Sequence, residues 1–210
     1  MGRPRRFDES ALLDAAIEQF WSKGFDNTSV EDISAIAGIG NGSIYAAYGN
    51  KRGLFLAAFD RYCDRRAAFI RDTVLTAPGS ARAAMRTLLH AVIADCAAQP
   101  GRRGCLMING VAALAGRVPE VADTAAKTTA AMEHSVAERL RRTATDHDDA
   151  TIEALSAHVI LVAQGLILSS RHGADVDQLH GIAEISLATL PPAWADRAVQ
   201  SADTEAALSR

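Results

Sequence analysis

Apolar residues recur along this chain at helical spacing almost from its start. Leu13, Ala16, Ile17 and Phe20 fall at i, i+3, i+4 and i+7, which puts one apolar stripe on a helix over residues 8–23. Asp8 and Glu9 suit its positive N-terminal end, Lys23 suits its C-terminal end, and Gly24 stops it. Thr28-Ser29-Val30-Glu31 matches the capping box S/T-x-x-E and opens a second helix over about residues 28–37, with Val30, Ile33 and Ala37 facing inward. Gly38 allows a tight turn, and a short third helix follows over about residues 40–47, with Asn41 as its expected cap. Gly49-Asn50 breaks the chain before a long fourth helix from Lys51 to about Thr73.

Beyond residue 75 the punctuation stays regular. Pro and Gly clusters separate helices expected at about 80–98, 104–115, 119–144, 149–171 and 175–190, with an acidic turn at 146–149, and Pro191-Pro192 ends the run. No strand pattern of any length is present, so the pattern predicts an all-α fold of about nine helices. The residues after 190 are polar and Ala-rich, with Trp194 the one large side chain, and read as a mobile tail.

Composition adjusts this picture in three ways. A hydrophobic share of 49% with 22% charged residues belongs to an ordinary globular chain. The net charge is −3, and residues 1–60 hold six basic against eight acidic side chains, so any nucleic-acid reading must rest on where the cations stand. Arg3, Arg5 and Arg6 form a basic arm, and Lys51-Arg52 follows the third helix. Cys63, Cys96 and Cys105 form no C-x-x-C and read as reduced, core-type thiols of a cytoplasmic protein, with a redox role left open. None of the six histidines forms HxxxH or a Cys/His cluster, so neither a metal nor a cofactor is expected. The longest apolar stretch, Val159 to Leu168, is interrupted by Gln164 and Gly165 and is too short to span a bilayer, so no membrane partner is expected.

The informative segment is 28–55. Two short helices joined by a glycine turn make a helix-turn-helix, whose second helix enters a major groove. Gly40, Asn41, Gly42 and Ser43 leave the start of that helix without bulk, so it can approach DNA closely. Asn41 offers a donor and an acceptor to a base edge. Ser43, Tyr45, Tyr48 and Lys51 offer hydroxyls and a charge to phosphates, and Thr28 and Ser29 add hydroxyls at the start of the second helix. Each has a plainer reading beside it: Tyr45 and Tyr48 as half-buried core aromatics, Thr28 as a helix cap, and the arginines as a solvated arm.

The aligned pattern tips the balance. Phe20-x-x-x-Gly24-Phe25, Thr28-x-Val30-x-x-Ile33-x-x-x-Ala37-Gly38-Ile39 and Gly42-Ser43-Ile44-Tyr45-x-x-Tyr48-x-x-Lys51-x-x-Leu54-Phe55 together resemble the DNA-binding domain of the TetR family (AcrR-like) over residues 8–57. The resemblance implies that Tyr45, Tyr48 and Lys51 bind backbone phosphates and that Thr28, Asn41, Gly42 and Ser43 lie at the DNA surface. Where Asn41 stands the family often has Lys or Arg, where Arg52 stands an acidic residue, and where Tyr48 stands a Phe. Gly104-Cys105-Leu106-Met107 also resembles the start of helix six in one subgroup.

The expected organisation is a helix-turn-helix domain at 1–50, an effector-binding and dimerisation domain at 51–190 and the tail at 191–210. The last two helices carry the expected dimer face, Leu155, Val159, Val162, Leu166, Ser169, Ile182, Ile185 and Thr189; a monomeric core is the plainer alternative. Phe69, Met85, Leu89, Leu106, Met107, Met132 and Val136 are the expected lining of a mostly apolar effector pocket, with His90 and Asn109 as its polar members. The partners expected are thus double-stranded operator DNA, a small molecule and a second copy of the chain. The rival reading is an α-helical enzyme or ligand-binding dimer without DNA binding; the chain holds no G-x-S-x-G, H-E-x-x-H, P-loop or G-x-G-x-x-G on which an enzyme would rest.

Overall fold

A computed structural model describes residues 7–143 and 148–191. The described residues form nine α-helices and no strand: α1 (Glu9–Lys23), α2 (Val30–Ala37), α3 (Asn41–Tyr48), α4 (Lys51–Thr76), α5 (Ala81–Ala98), α6 (Leu106–Leu114), α7 (Pro119–Thr143), α8 (Asp149–Arg171) and α9 (Val176–Ala188). A single 3-10 turn over Pro100–Arg102 lies between α5 and α6. The chain is therefore all-α, as its periodicity predicts. Helix starts follow capping chemistry: Asp8, Ser80, Asp148 and Asp175 each accept a backbone N–H of their helix's first turn. The expected basic arm at residues 3–6, residues 146 and 147 of the acidic turn and nearly all of the expected tail lie outside the described residues.

Packing divides the chain into two compact units. The first comprises Met1–Arg66 and Cys105–Ala126, and the second Ala67–Gly104 and Lys127–Arg210. A grouping by packing is distinct from a functional division of the chain. It does show that the first half of α4, all of α6 and the start of α7 complete the core beneath α1–α3.

In the first unit, Leu12, Ala16 and Phe20 of α1, Ile33 of α2, Ile44 of α3 and Leu54, Phe55, Ala58 and Phe59 of α4 are buried. Phe20 and Phe55 meet edge to face at 5.1 Å between ring centroids, as do Phe25 and Phe55 at 5.2 Å. Tyr62 anchors α6. Its hydroxyl accepts the Leu106 N–H at 3.2 Å and donates to Cys105 Sγ at 3.4 Å, and burial pushes its ionisation well above the usual phenol range.

In the second unit, α5 packs against α8 and α9. Met85, Leu88, Leu89, Val92 and Ile93 of α5, Ile152, Val159, Ile160 and Leu166 of α8, and Leu179, Ala183 and Leu187 of α9 are all buried. Arg139 of α7, almost fully buried, donates to the Ala77 and Gly79 carbonyls and ties down the loop between α4 and α5. The whole of α8 is long and apolar enough to cross a membrane by length and composition, which corrects the expectation drawn from Val159–Leu168 alone. A core helix passes the same test, and the inner face of α8 is packed against protein.

Candidate nucleic-acid interface

The expected second-helix box is shifted by one residue. Ser29, not Thr28, caps α2: its Oγ accepts the Asp32 N–H at 3.0 Å, and Asp32 Oδ2 accepts the Ser29 N–H at 3.4 Å. The Ser29 hydroxyl is the main reason the Asp32 carboxyl is held below its ordinary pKa. Thr28 is 2% exposed, and its hydroxyl donates to the Gln19 and Gly24 carbonyls of the preceding helix and turn. Its expected place at a DNA surface is corrected accordingly: the side chain braces α1 against α2 and offers no hydroxyl outward.

The turn to α3 is locked locally. Gly38 has φ 66°, a left-handed conformation that a side chain resists, and its N–H reaches the Ser34 carbonyl. The Ser34 hydroxyl donates to the Ile39 carbonyl. Asn41 is the first residue of α3 rather than its cap; Gly40 holds the cap position without a side-chain bond. The Asn41 carboxamide oxygen is turned inward with no hydrogen-bond partner in the protein, so reaching a base edge requires a side-chain rotation.

These contacts fix which way α3 faces. Ile44 is 1% exposed and roots the helix in the core, while Gly42, Ser43 and Tyr45 are exposed. A Cβ at Gly42 would meet nothing within 4 Å, so internal packing does not require a glycine there. The plainer reading of Tyr45 as a core aromatic fails, since it is 42% exposed. Tyr48 is half-buried.

Charged groups ring this surface. The Tyr45 hydroxyl lies 3.4 Å from Glu31 Oε1 and the Tyr48 hydroxyl 2.9 Å from Glu9 Oε1, each donating to the carboxylate. Partial desolvation, then the Glu31 charge, raises the Tyr45 pKa. Lys51 Nζ sits 4.5 Å from the Phe25 ring centroid and donates to the Asp26 carbonyl at 3.4 Å. Arg52, read from sequence as part of the basic footprint, is paired instead with Glu120 at the start of α7, through contacts of 2.6 and 2.8 Å from Nη2. Arg117 binds Asp26; that hydrogen bond lowers the Asp26 pKa and raises the Arg117 one. The carboxylates of Glu9 and Glu31 and the Arg52–Glu120 pair were not legible in sequence, because each joins residues on separate helices.

The expected effector residues divide between the units. Leu106, Met107 and Asn109 belong to the first; Phe69, Met85, Leu89, His90, Met132 and Val136 belong to the second. Met85, Leu89, Met132 and Val136 are buried there, and Phe69 is half-buried. His90 faces Glu184 at 3.2 Å and meets the His180 ring edge to face. A depression of about 260 Å³ between α7 and α8 contains none of the nine; Glu133, His134, Arg141, Glu153 and Ser156 line it together with Ala130 and Ala137.

The expected dimer face is partly corrected. Val159 and Leu166 are 2% and 1% exposed and belong to the protomer core. Leu155, Val162 and Ser169 are half-buried, and Ile182, Ile185 and Thr189 point outward. The large outward apolar residues of α8 are Leu161 and Leu168, neither of which belongs to the expected dimer face.

Comparison with known proteins agrees with this geometry. The family profile described as "Bacterial regulatory proteins, tetR family" matches residues 12–58, from within α1 to the first third of α4. The chain is 33% identical to the HTH-type transcriptional repressor ComR of Escherichia coli (strain K12) over 196 residues, covering 90% of this chain and 92% of that protein. It is 30% identical to the uncharacterized HTH-type transcriptional regulator YezE of Bacillus subtilis (strain 168), covering 90% of this chain and all of YezE. Among solved structures, a cysteine mutant of the TetR family transcriptional regulator CifR, complexed with a 26-bp double-strand operator DNA, superimposes with a TM-score of 0.73 at 30% identity, over 90% of this chain and 100% of that one.

Proposed function

Because the chain belongs to the tetR family of bacterial regulatory proteins, we propose that it works as a homodimeric repressor that holds a palindromic operator and releases it when a small, mostly apolar effector binds. Family membership makes it a DNA-binding transcriptional regulator rather than an enzyme. The finer reading assigns residues 1–50 to operator recognition and 51–190 to effector binding and dimerisation, in the cytoplasm.

One observation carries this reading: Ile44 is buried while Gly42, Ser43 and Tyr45 on the same eight-residue helix face solvent. Such a helix is rooted on one side and open on the other, as groove entry requires. Tyr45, Tyr48 and Lys51 would hold phosphates and fix the register, and Asn41, Ser43 and Gly42 would meet base edges. Ser29 and the arginines at 3, 5 and 6 would add contacts at the margins. Thr28 acts by bracing the head. The effector would bind among buried apolar groups of the second unit, where Met85 and Met132 have unbranched side chains that adapt to a guest. By favouring one arrangement of the two reading heads, it would weaken operator affinity.

Selection of duplexes from a random DNA pool by the full-length protein tests the reading. A palindrome with half-sites about one helical turn apart is expected. Replacing Lys51 by Ala should weaken binding to all duplexes and lower the salt slope by about 1. Replacing Asn41 should alter sequence preference instead. Failure to enrich any duplex would leave a small-molecule-binding dimer as the reading.

A further inference from the structure

We propose that Glu9 and Glu31 are built-in stand-ins for operator phosphates, each occupying a tyrosine of α3 until a phosphate displaces it. The inference rests on the reading of Tyr45 and Tyr48 as phosphate ligands and concerns what those hydroxyls do before DNA arrives.

The geometry is paired. Tyr45 donates to Glu31 on α2, and Tyr48 donates to Glu9 on α1. A phenol carries one proton and so donates one full hydrogen bond, whereas an ionised carboxylate and a phosphodiester are both acceptors only. Glu31 and a phosphate therefore compete for the same proton, and so do Glu9 and a second phosphate. Both carboxylates also stand in the first turn of a helix, where the backbone dipole favours negative charge from either source.

The other acids of the head mostly have different tasks. Asp8 caps α1, Asp32 closes the capping box by accepting the Ser29 N–H, Asp14 binds Arg61 and Arg65, Asp26 binds Arg117, and Asp60 accepts the Thr124 hydroxyl. Glu9 and Glu31 are the ones that face the tyrosine hydroxyls of α3. A surface with eight acids against six bases in its first sixty residues thus places two of those acids against its own DNA-facing helix. The effect on recognition has a definite sign. Any duplex must displace both carboxylates, so operator and non-specific binding are lowered by a similar factor, and the operator's base contacts keep it bound where a duplex offering only phosphates is released.

The test uses the full-length dimer, a labelled duplex carrying the selected palindrome and a scrambled duplex of equal composition. Glu31→Gln is expected to tighten binding to the scrambled duplex about fivefold, and to the palindrome by a similar factor. Glu31→Asp keeps the charge but withdraws it by one methylene, and is expected to recover most of that gain. In the Tyr45→Phe background the gain from Glu31→Gln should fall below about twofold. Glu9→Gln with Tyr48→Phe should behave in the same way. Equal gains in both backgrounds, or Glu31→Asp behaving like the parent, would mean simple long-range repulsion and would overturn the proposal while leaving DNA binding intact. Binding of neither duplex by the parent would overturn the proposal together with the reading beneath it.

Discussion

Thr28 and Ser29 carry the same functional group one residue apart and do different things. Two capping frames overlap in Thr28-Ser29-Val30-Glu31-Asp32, and local sequence cannot choose between them. The choice comes from Gln19, nine residues upstream, whose carbonyl accepts the Thr28 hydroxyl and leaves Ser29 to cap. The pH consequence follows from Asp32. Its folded pKa is lowered, so its share of the cap is fully present above the ordinary value of 3.8 and is lost as pH falls through the folded value. The stability difference between the parent and Ser29→Ala, about 1 kcal/mol at neutral pH, should hold down to about pH 5 and shrink below about pH 4; urea unfolding across that range measures it. Gly42 separates stability from function at the same scale. With nothing within 4 Å of its would-be Cβ, Gly42→Ala should stabilise α3 by roughly 0.5–1 kcal/mol. It should nevertheless weaken operator binding, because the added methyl stands on the open face. Calorimetric melting beside an operator titration reads both, and a stabilised variant with unchanged affinity would remove Gly42 from the interface.

At the scale of elements, periodicity located every helix, because caps, glycines and prolines mark their ends within a few residues of where the packing places them. What it could not supply was orientation when a helix is apolar on more than one side. On α8 the row Ile152, Val159, Leu166 turns into the protomer, and Leu161 and Leu168 on the opposite side remain outside. The two rows look alike in sequence; only the position of α5 against α8 and α9 distinguishes them. Junctions were equally opaque. Gly53 lies in the first turn of α4, where its N–H reaches Asn50 Oδ1 at 2.9 Å, and a Cβ there would stand 2.0 Å from the Tyr48 carbonyl oxygen. The obstacle is backbone, so it does not yield by a rotamer change. Gly53→Ala should force α3 and α4 apart at their shared corner and cost about 1–3 kcal/mol. Because Tyr48 and Lys51 flank that corner, operator affinity should fall by more than the loss of folded protein explains. Comparing chemical denaturation with affinity per folded molecule separates the two, and a loss of stability alone would mean the corner does not set the reading helix.

At the scale of the whole molecule, the question is what covers the outer sides of α8 and α9. These helices pack together within the second unit, yet Leu161 is 67% exposed, Leu168 44%, Ile182 39% and Ile185 71%. Single exposed apolar residues are ordinary, but four large ones on two adjoining helices are the mark of an interface. Gly165 on α8 and Gly181 on α9 are exposed, and a Cβ at either would touch nothing within 4 Å. Close approach from outside therefore suits them better than any internal constraint. A second copy is the partner that the proposed palindromic operator would demand, and a two-fold axis would set Leu161 and Ile185 of one protomer against the same faces of the other. The double variant Leu161→Glu with Ile185→Glu places like charges on both sides of that axis. It should sediment as a monomer at micromolar concentration, keep its helical circular dichroism and melt at a lower, concentration-independent temperature. Its operator binding should weaken by at least about a hundredfold, since each head would then find its half-site without the effective concentration the other supplies. A variant that still sediments as a dimer would move the association surface elsewhere on the chain. A monomer that binds as tightly as the parent would break the link between pairing and operator reading.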